Sequence, residues 1–156
     1  MLIKGILDED FINYKVPSMN IIFPFCSFKC DKECGLSVCQ NSSLAKSDIL
    51  DISIDTLIKR YLSNNIVKAL VFNGLEPFDS YEDMIKLIER FREFRSDDIV
   101  IYTGYTEEEL NDKIFELKKF ENIIIKFGRF IPNNKKHFDS ILGVYLASDN
   151  QYAKRI

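Results

Sequence analysis

The residues of this sequence most able to carry chemistry are its cysteines, which all lie within one short segment. Cys26, Cys30, Cys34 and Cys39 fall inside CSFKCDKECGLSVCQN, which occupies residues 26–41. A chain of 156 residues seldom concentrates its thiols in this way unless they share a ligand. The segment therefore predicts a metal or cluster site. A disulfide pair, four unrelated core cysteines and a structural zinc site are the alternatives.

The spacing of the cysteines bears on which ligand they hold. Structural zinc usually takes four Cys or His ligands in two spaced pairs. Here the gaps are three, three and four residues, and the one histidine, His137, lies in a distant polar segment where we expect a solvated surface residue. Iron–sulfur clusters readily take thiolates from one short loop, so the pattern favours a cluster. A cluster held by three cysteines leaves one iron open to a small molecule, whereas four suggest electron transfer.

Length and composition bound the remaining possibilities. A chain of 156 residues is expected to form a single domain spanning residues 1–156, and 46% apolar with 29% charged residues is typical of a globular protein. The net charge of −3 does not indicate electrostatic attraction to nucleic acid or to an anionic membrane surface. The N-terminus resembles no secretory signal, so we expect a cytoplasmic protein, in which reducing conditions disfavour structural disulfides.

Apolar strands alternate with amphipathic helices along the chain. The predicted strands are residues 19–24, 67–72, 99–102 and 122–127, while residues 142–147 form a fifth strand or an irregular apolar segment. Helices are expected after Ser53 and Ser80 and after a capping box of Thr106 and Glu109. The alternation predicts an α/β fold with a mostly parallel sheet, either curved into a small partial (β/α) barrel or left open, with the cysteine loop after the first strand.

An unusual segment follows each of the four predicted parallel strands. CSFKC follows the first strand, NGLEP the second, TGY the third and FGRF the fourth. Because the carboxyl ends of parallel strands meet at one edge of a sheet, these segments should converge. We therefore expect them to build one site.

These segments, taken in order, resemble those of a known enzyme family. The C-x3-C opening, a later cysteine two positions before an asparagine, Gly-Leu-Glu-Pro, Tyr-Thr-Gly-Tyr and the closing GVYLASDNQ are together similar to radical SAM enzymes. The closest resemblance is to the activating protein of anaerobic ribonucleoside-triphosphate reductase and other glycyl-radical activating enzymes. It extends from about Phe11 to Ala153. It implies a 4Fe-4S cluster and S-adenosyl-L-methionine (SAM), which one electron from the cluster cleaves to methionine and a 5′-deoxyadenosyl radical.

The cysteine loop departs from the family pattern. The usual loop is C-x3-C-x2-C, but Glu33 stands where its third cysteine belongs. The Cys-Gln-Asn sequence at residues 39–41 reproduces the family's Cys-x-Asn ending. The resemblance therefore implies Cys26, Cys30 and Cys39 as cluster ligands, and Cys34 remains the alternative third ligand.

The resemblance also implies which residues lie near SAM or the cluster. Glu76 would accept a hydrogen bond from the methionyl amino group, while Leu75 replaces a family glycine and would alter how that group is held. The resemblance implies that Arg129 pairs with a carboxylate, and the alternative is an ordinary surface arginine. The full set is Phe28, Val38, Gln40, Asn73, Gly74, Leu75, Glu76, Thr103, Gly104, Phe127 and Arg129.

A protein substrate is a further implication of the resemblance. The family acts on a glycine in a large glycyl-radical protein, here expected to be an anaerobic ribonucleotide reductase, and draws electrons from a flavodoxin- or ferredoxin-type donor. An incomplete barrel would leave a lateral opening for the partner's loop. The alternative is an iron–sulfur or zinc-binding module, such as an electron-transfer module, without SAM chemistry.

Overall fold

A six-stranded sheet organises the structure, a computed structural model that describes residues 1–156. The strands are β1 (Leu2–Ile3), β2 (Gly5–Asp10), β3 (Ser18–Phe23), β4 (Leu50–Asp51), β5 (Ala69–Gly74), β6 (Asp98–Tyr102), β7 (Ile123–Phe127), β8 (His137–Asp139), β9 (Val144–Leu146) and β10 (Tyr152–Arg155). The helices are α1 (Lys29–Cys34), α2 (Ser42–Ala45), α3 (Ile54–Ser63), α4 (Tyr81–Arg92) and α5 (Asn111–Leu117), with 3₁₀ turns at Pro77–Ser80 and Glu108–Leu110. None of the helices is long and apolar enough to cross a bilayer.

The central sheet has the order β10-β7-β6-β5-β3-β2. Its four inner strands, β3, β5, β6 and β7, are parallel, and the edge strands β2 and β10 pair antiparallel with their neighbours. The strands β1 and β4 form a separate pair, as do β8 and β9. The predicted α/β fold with a mostly parallel sheet is confirmed, and closure into a partial barrel stays a prediction.

The two faces of the sheet are covered differently. On one face, apolar side chains such as Phe23 and Phe72 form a large core with Leu57 of α3, Leu87 of α4 and Leu117 of α5. The opposite face carries a smaller apolar cluster, whose members include Tyr14, Val71, Val100 and Leu142. Because the three crossover helices lie on the first face, the second face has room for a site beside the strand ends.

Two of the three predicted helix starts are confirmed by hydrogen bonds. Ser53 Oγ accepts from Thr56 N at 3.1 Å. Thr106 N donates to Glu109 Oε2 at 2.9 Å and Glu109 N donates to Thr106 Oγ1 at 3.3 Å, as in a capping box, although a 3₁₀ turn precedes α5. The helix predicted after Ser80 also forms, since α4 begins at Tyr81 with Ser80 in the N-cap position, but the Ser80 hydroxyl makes no cap hydrogen bond.

The physical reason is that helical backbone begins earlier, with the 3₁₀ turn at Pro77–Ser80. The side chain of Glu76 caps this turn, since its Oε1 accepts from Phe78 N at 3.2 Å. A cap from Ser80 is therefore not needed to start the turn.

Several strands were not predicted. The edge strands β2 and β10 have the polar sequences GILDED and YAKR, which lack the apolar run of a buried strand. The segment 142–147 contains β9, and its partner β8 occupies part of the stretch that was expected to be a polar loop. His137 begins β8 and is partly buried rather than fully solvated. The predicted strand 67–72 lies two residues further along, at Ala69–Gly74.

Candidate functional site

The cysteine segment leaves the end of β3 and folds into a closed turn. Phe28 adopts a left-handed backbone conformation with φ of 53° and starts the short helix α1, which ends at Gly35 with φ of 65°. Asp31 in this helix then accepts hydrogen bonds from Val38 N and Cys39 N, both at 2.8 Å. This carboxylate fixes the position of the last cysteine relative to α1.

A cavity of about 490 Å³ lies on the sheet face that the helices do not cover, and it brings three cysteines together. Cys26, Cys30 and Cys39 line it, whereas Cys34 lines a neighbouring cavity of about 330 Å³ together with Cys30. Of the other residues implied by the resemblance, those that line the larger cavity are Gln40, Asn73, Gly74, Leu75, Glu76, Thr103 and Gly104. Gly128 adds the fourth loop, so the expected convergence of the strand ends is confirmed.

The thiols in the larger cavity are electrostatic neighbours. Burial raises the pKa of Cys26 to about 11, with smaller contributions from the negative charges of Glu76, Asp79 and Cys39 and an opposing one from Phe28 N, which donates to Sγ at 3.2 Å. Burial also raises the pKa of Cys30, and Cys39 again adds to the shift. The three thiols that line the larger cavity thus lie in partly buried surroundings.

All four cysteines are free thiols. No group of three or more His, Cys, Asp or Glu side chains is arranged to hold a single metal ion. In a cluster each cysteine thiolate binds a different iron, so the thiols need not converge on one point.

Glu76 is the buried centre of the site. Only 4% of the residue is exposed, and its carboxylate accepts from Thr103 Oγ1 at 2.8 Å, Gly104 N at 2.9 Å and Phe78 N at 3.2 Å. Its own backbone N donates to Phe25 O at 2.8 Å. Burial raises the pKa of the carboxyl to about 7, against the opposing effect of these donors. Glu76 thus joins the loops after β3, β5 and β6.

Gly104 has no side chain, and this leaves space between the Cys30 thiol and the Glu76 carboxylate. A Cβ built on Gly104 would lie 3.7 Å from each of Cys30 Sγ, Glu76 Oε2 and Arg129 Cγ. These are ordinary contact distances, so a methyl group would fit the free chain and would occupy the space between the thiol and the carboxylate.

Gly74 is the last residue of β5 and has a backbone conformation that other residues rarely adopt. Its φ is 95°, and a Cβ would lie 2.5 Å from Ile22 Cγ2 and 3.0 Å from Phe23 N. Its carbonyl oxygen accepts from Asn41 Nδ2 at 2.8 Å, which ties the end of the cysteine segment to the end of β5.

We expect Gly74→Ala to lower the free energy of unfolding by about 2–4 kcal/mol, because both the positive φ and the contact with Ile22 oppose a side chain. Gly35→Ala is the matched control, since Gly35 also has a positive φ but has no atom within 4 Å of a Cβ. Its expected cost is about 1 kcal/mol. Urea denaturation of both variants measures the difference, and equal losses would contradict the close packing at Gly74.

Arg129 already binds two protein carboxylates. Its Nη2 lies 2.7 Å from Glu109 Oε1 and its Nε lies 3.1 Å from Glu33 Oε1, and 8% of the residue is exposed. Lys29 Nζ also reaches Glu109 Oε1, at 3.0 Å. Glu33, which stands where the resemblance places a third cysteine, therefore helps to hold α1 against the end of β7. Arg129 lines the smaller cavity.

The remaining residues implied by the resemblance do not line the larger cavity. Phe28 and Val38 are partly buried in the cysteine segment and line neither of the two cavities. Phe127 is fully buried in the helix-side core and adjoins the smaller cavity. Their contacts with a cofactor stay predictions.

Three buried polar residues of the larger cavity, Asn20, Lys126 and Gln151, were not among the predicted site residues. Lys126, 6% exposed, donates to Gly128 O at 2.9 Å and has no carboxylate in ion-pair distance, and burial lowers the pKa of its ammonium group to about 8. Asn20 is 1% exposed and lies in β3. For Asn20 and Lys126, the available signal was a polar residue inside each of the apolar runs MNIIF and IIIKF.

Comparison with known proteins gives one match. A family model described as "4Fe-4S single cluster domain" matches residues 20–151, which include all four cysteines and all four converging loops. No curated protein and no solved structure matches the chain.

Proposed function

Because the chain belongs to the family of 4Fe-4S single cluster domains, we propose that it is a radical SAM enzyme whose cluster is held by Cys26, Cys30 and Cys39. The observation that carries this proposal is that these three cysteines line one cavity with Glu76, while Cys34 lines the neighbouring one. Ligation by three cysteines leaves one iron free for a small molecule. When bound, such a cluster supplies the single electron that splits SAM into methionine and a 5′-deoxyadenosyl radical.

The residues around the three thiols suit a cluster and an amino-acid moiety. Gly104 keeps the space beside Cys30 clear, and Asp31 holds Cys39 in place. The Glu76 carboxylate is already oriented by three donors, and its remaining lone pairs can accept from a methionyl ammonium group.

Lys126 adds a positive charge to the same cavity. Its ammonium group is bound only to carbonyl oxygens, so an anionic group of a ligand would compensate the buried charge. The carboxylate of the methionyl group is such an anion. Glu76 would then bind the ammonium group of the methionyl moiety, and Lys126 would bind its carboxylate.

We infer a protein substrate from the rim of the cavity. Leu7, Ile12 and Tyr145 line the cavity and are 47%, 77% and 74% exposed. Apolar side chains at a cavity mouth favour contact with another protein. The proposed reaction is the transfer of the α-hydrogen atom of a partner glycine to the 5′-deoxyadenosyl radical, which leaves 5′-deoxyadenosine and a glycyl radical. An anaerobic ribonucleotide reductase is the proposed partner, and a flavodoxin- or ferredoxin-type protein the proposed electron donor.

The test is to mix the anaerobically reconstituted protein with SAM, dithionite and the anaerobic ribonucleotide reductase of the same organism. The proposal predicts 5′-deoxyadenosine by chromatography and a glycyl radical by electron paramagnetic resonance. Formation of 5′-deoxyadenosine without a glycyl radical would contradict this partner. Absence of 5′-deoxyadenosine would contradict the SAM chemistry itself.

A further inference from the structure

Asn20, which lines the larger cavity, carries an unused hydrogen-bond acceptor. The residue is 1% exposed and lines the cavity, and its Nδ2 donates to Asp10 Oδ2 at 3.4 Å. Its Oδ1 is buried and has no hydrogen-bond partner. No other buried, unpartnered side-chain atom belongs to a residue of this cavity. A buried acceptor without a partner opposes folding, which makes a donor on a ligand the natural partner for this oxygen.

The position of Asn20 in the sheet places it between the cluster end of the cavity and the exposed rim. In β3, Asn20 and Ile22 point to the same face, and Ile22 is aligned with Asn73 on the side of the cysteine loop. On the other side, Asn20 is aligned with Leu7 of the edge strand β2, which is 47% exposed and lines the cavity rim. A ligand that enters past Leu7 therefore meets Asn20 before it reaches the cysteines.

The chemistry of this part of the cavity suits a peptide backbone. The free Oδ1 can accept from an N–H or O–H donor, and the rim residues Leu7, Ile12 and Tyr145 present exposed, largely apolar side chains. A peptide offers both a backbone N–H and side chains that can cover the rim. A hydroxyl of the SAM ribose is the other possible donor, but it would not account for the exposed apolar rim.

We propose that Asn20 Oδ1 accepts a hydrogen bond from a backbone N–H of the protein substrate and thereby positions its glycine for hydrogen transfer. This inference rests on the proposed function, from which the glycine substrate comes. It adds the residue that recognises the substrate backbone and the side from which the substrate enters, at the edge formed by β2.

The test compares Asn20→Leu, which has the same number of side-chain heavy atoms and no acceptor, with Ser18→Ala as the matched control. Ser18 is fully buried on the same strand and face and donates to Asp10 O at 3.4 Å, but it does not line the cavity. The probe is a fluorescein-labelled synthetic peptide with the glycine loop of the anaerobic ribonucleotide reductase of the same organism. Its affinity for the cluster-loaded protein is measured by fluorescence anisotropy without SAM.

We expect Asn20→Leu to weaken peptide binding about tenfold, the effect of one lost hydrogen bond, and Ser18→Ala to leave it unchanged. The rate of 5′-deoxyadenosine formation without the partner is measured in the same variants, because it reports on SAM and not on the peptide. The urea midpoint of unfolding should fall by no more than that of Ser18→Ala, since the substitution removes a buried oxygen that has no partner together with one hydrogen bond of 3.4 Å to Asp10. If leucine prevents folding, Asn20→Ala provides the same loss of the acceptor.

Three results would overturn the proposal. Equal peptide affinity in the native protein and Asn20→Leu would show that Asn20 does not bind the substrate. A parallel loss of partner-free SAM cleavage would assign Oδ1 to SAM instead. A clear fall in the unfolding midpoint beyond that of Ser18→Ala would make Asn20 a structural residue. Because the binding experiment needs no SAM, its failure is distinct from a native protein that forms no 5′-deoxyadenosine.

Discussion

Replacing Cys39 by alanine is expected to abolish the SAM-responsive cluster, whereas replacing Cys34 by alanine should leave it intact. Cys39 lines the same cavity as Cys26 and Cys30, and Asp31 holds its backbone there through a hydrogen bond of 2.8 Å. Cys34 lines the neighbouring cavity. Loss of residues that merely support a metal ligand typically costs about 10- to 100-fold in metal affinity or activity, so loss of a ligand should lower SAM cleavage by more than about 100-fold.

The measurements are the iron content after anaerobic reconstitution and the rate of 5′-deoxyadenosine formation. Cys26→Ala is the positive control for the loss of a ligand. If Cys34→Ala lost the cluster and Cys39→Ala kept it, Cys34 would be the third ligand. If both variants lost it, a cluster with four cysteine ligands would replace the proposed open iron.

Replacing Glu76 by glutamine is expected to weaken SAM binding strongly while the cluster is retained. The carboxylate lines the cavity next to the cysteines and is held by three donors, and glutamine would direct an NH₂ group at one of them. Removing one member of a buried, hydrogen-bonded charge pair costs about 2–5 kcal/mol. That corresponds to a loss of roughly 30- to 4,000-fold in SAM affinity.

Titration of the cluster signal with SAM measures this affinity. Glu109→Gln is the matched control, because Glu109 is a carboxylate near the same loops that lines neither cavity. It should leave SAM affinity unchanged although it breaks the ion pair with Arg129. Native affinity in Glu76→Gln would show that the amino group is bound elsewhere. Iron content must be measured in both variants, so that loss of the cluster is not mistaken for loss of SAM binding.

Features of the site that depend on local sequence could be predicted. The cysteine segment, the loops after the parallel strands and the capping box of Thr106 with Glu109 are each visible in a few consecutive residues. Their convergence followed from the geometry of a parallel sheet, which brings the strand ends to one edge. The same reasoning predicted that Glu76 and Gly104 would lie in one site with the cysteines, and the structure confirms this proximity.

Features that depend on distant partners could not be predicted in this way. The hydrogen bond from Cys39 N to Asp31 and the ion pair between Glu33 and Arg129 require the folded chain. The edge strand β2 has too little apolar sequence to be recognised, yet it supplies part of the cavity rim. Lys126 and Asn20 stand in apolar strands, and the sequence alone does not show that the sheet face they occupy has an open cavity.

Ligation of the cluster by three cysteines with one open iron is tested most directly by electron paramagnetic resonance of the dithionite-reduced, anaerobically reconstituted protein, recorded with and without SAM. A 4Fe-4S cluster with one open iron predicts a reduced-cluster signal that changes when SAM binds, accompanied by 5′-deoxyadenosine. The same signal should be absent from Cys39→Ala and present in Cys34→Ala. A cluster signal that SAM leaves unchanged, with no 5′-deoxyadenosine formed, would contradict both the open iron and the proposed SAM cleavage.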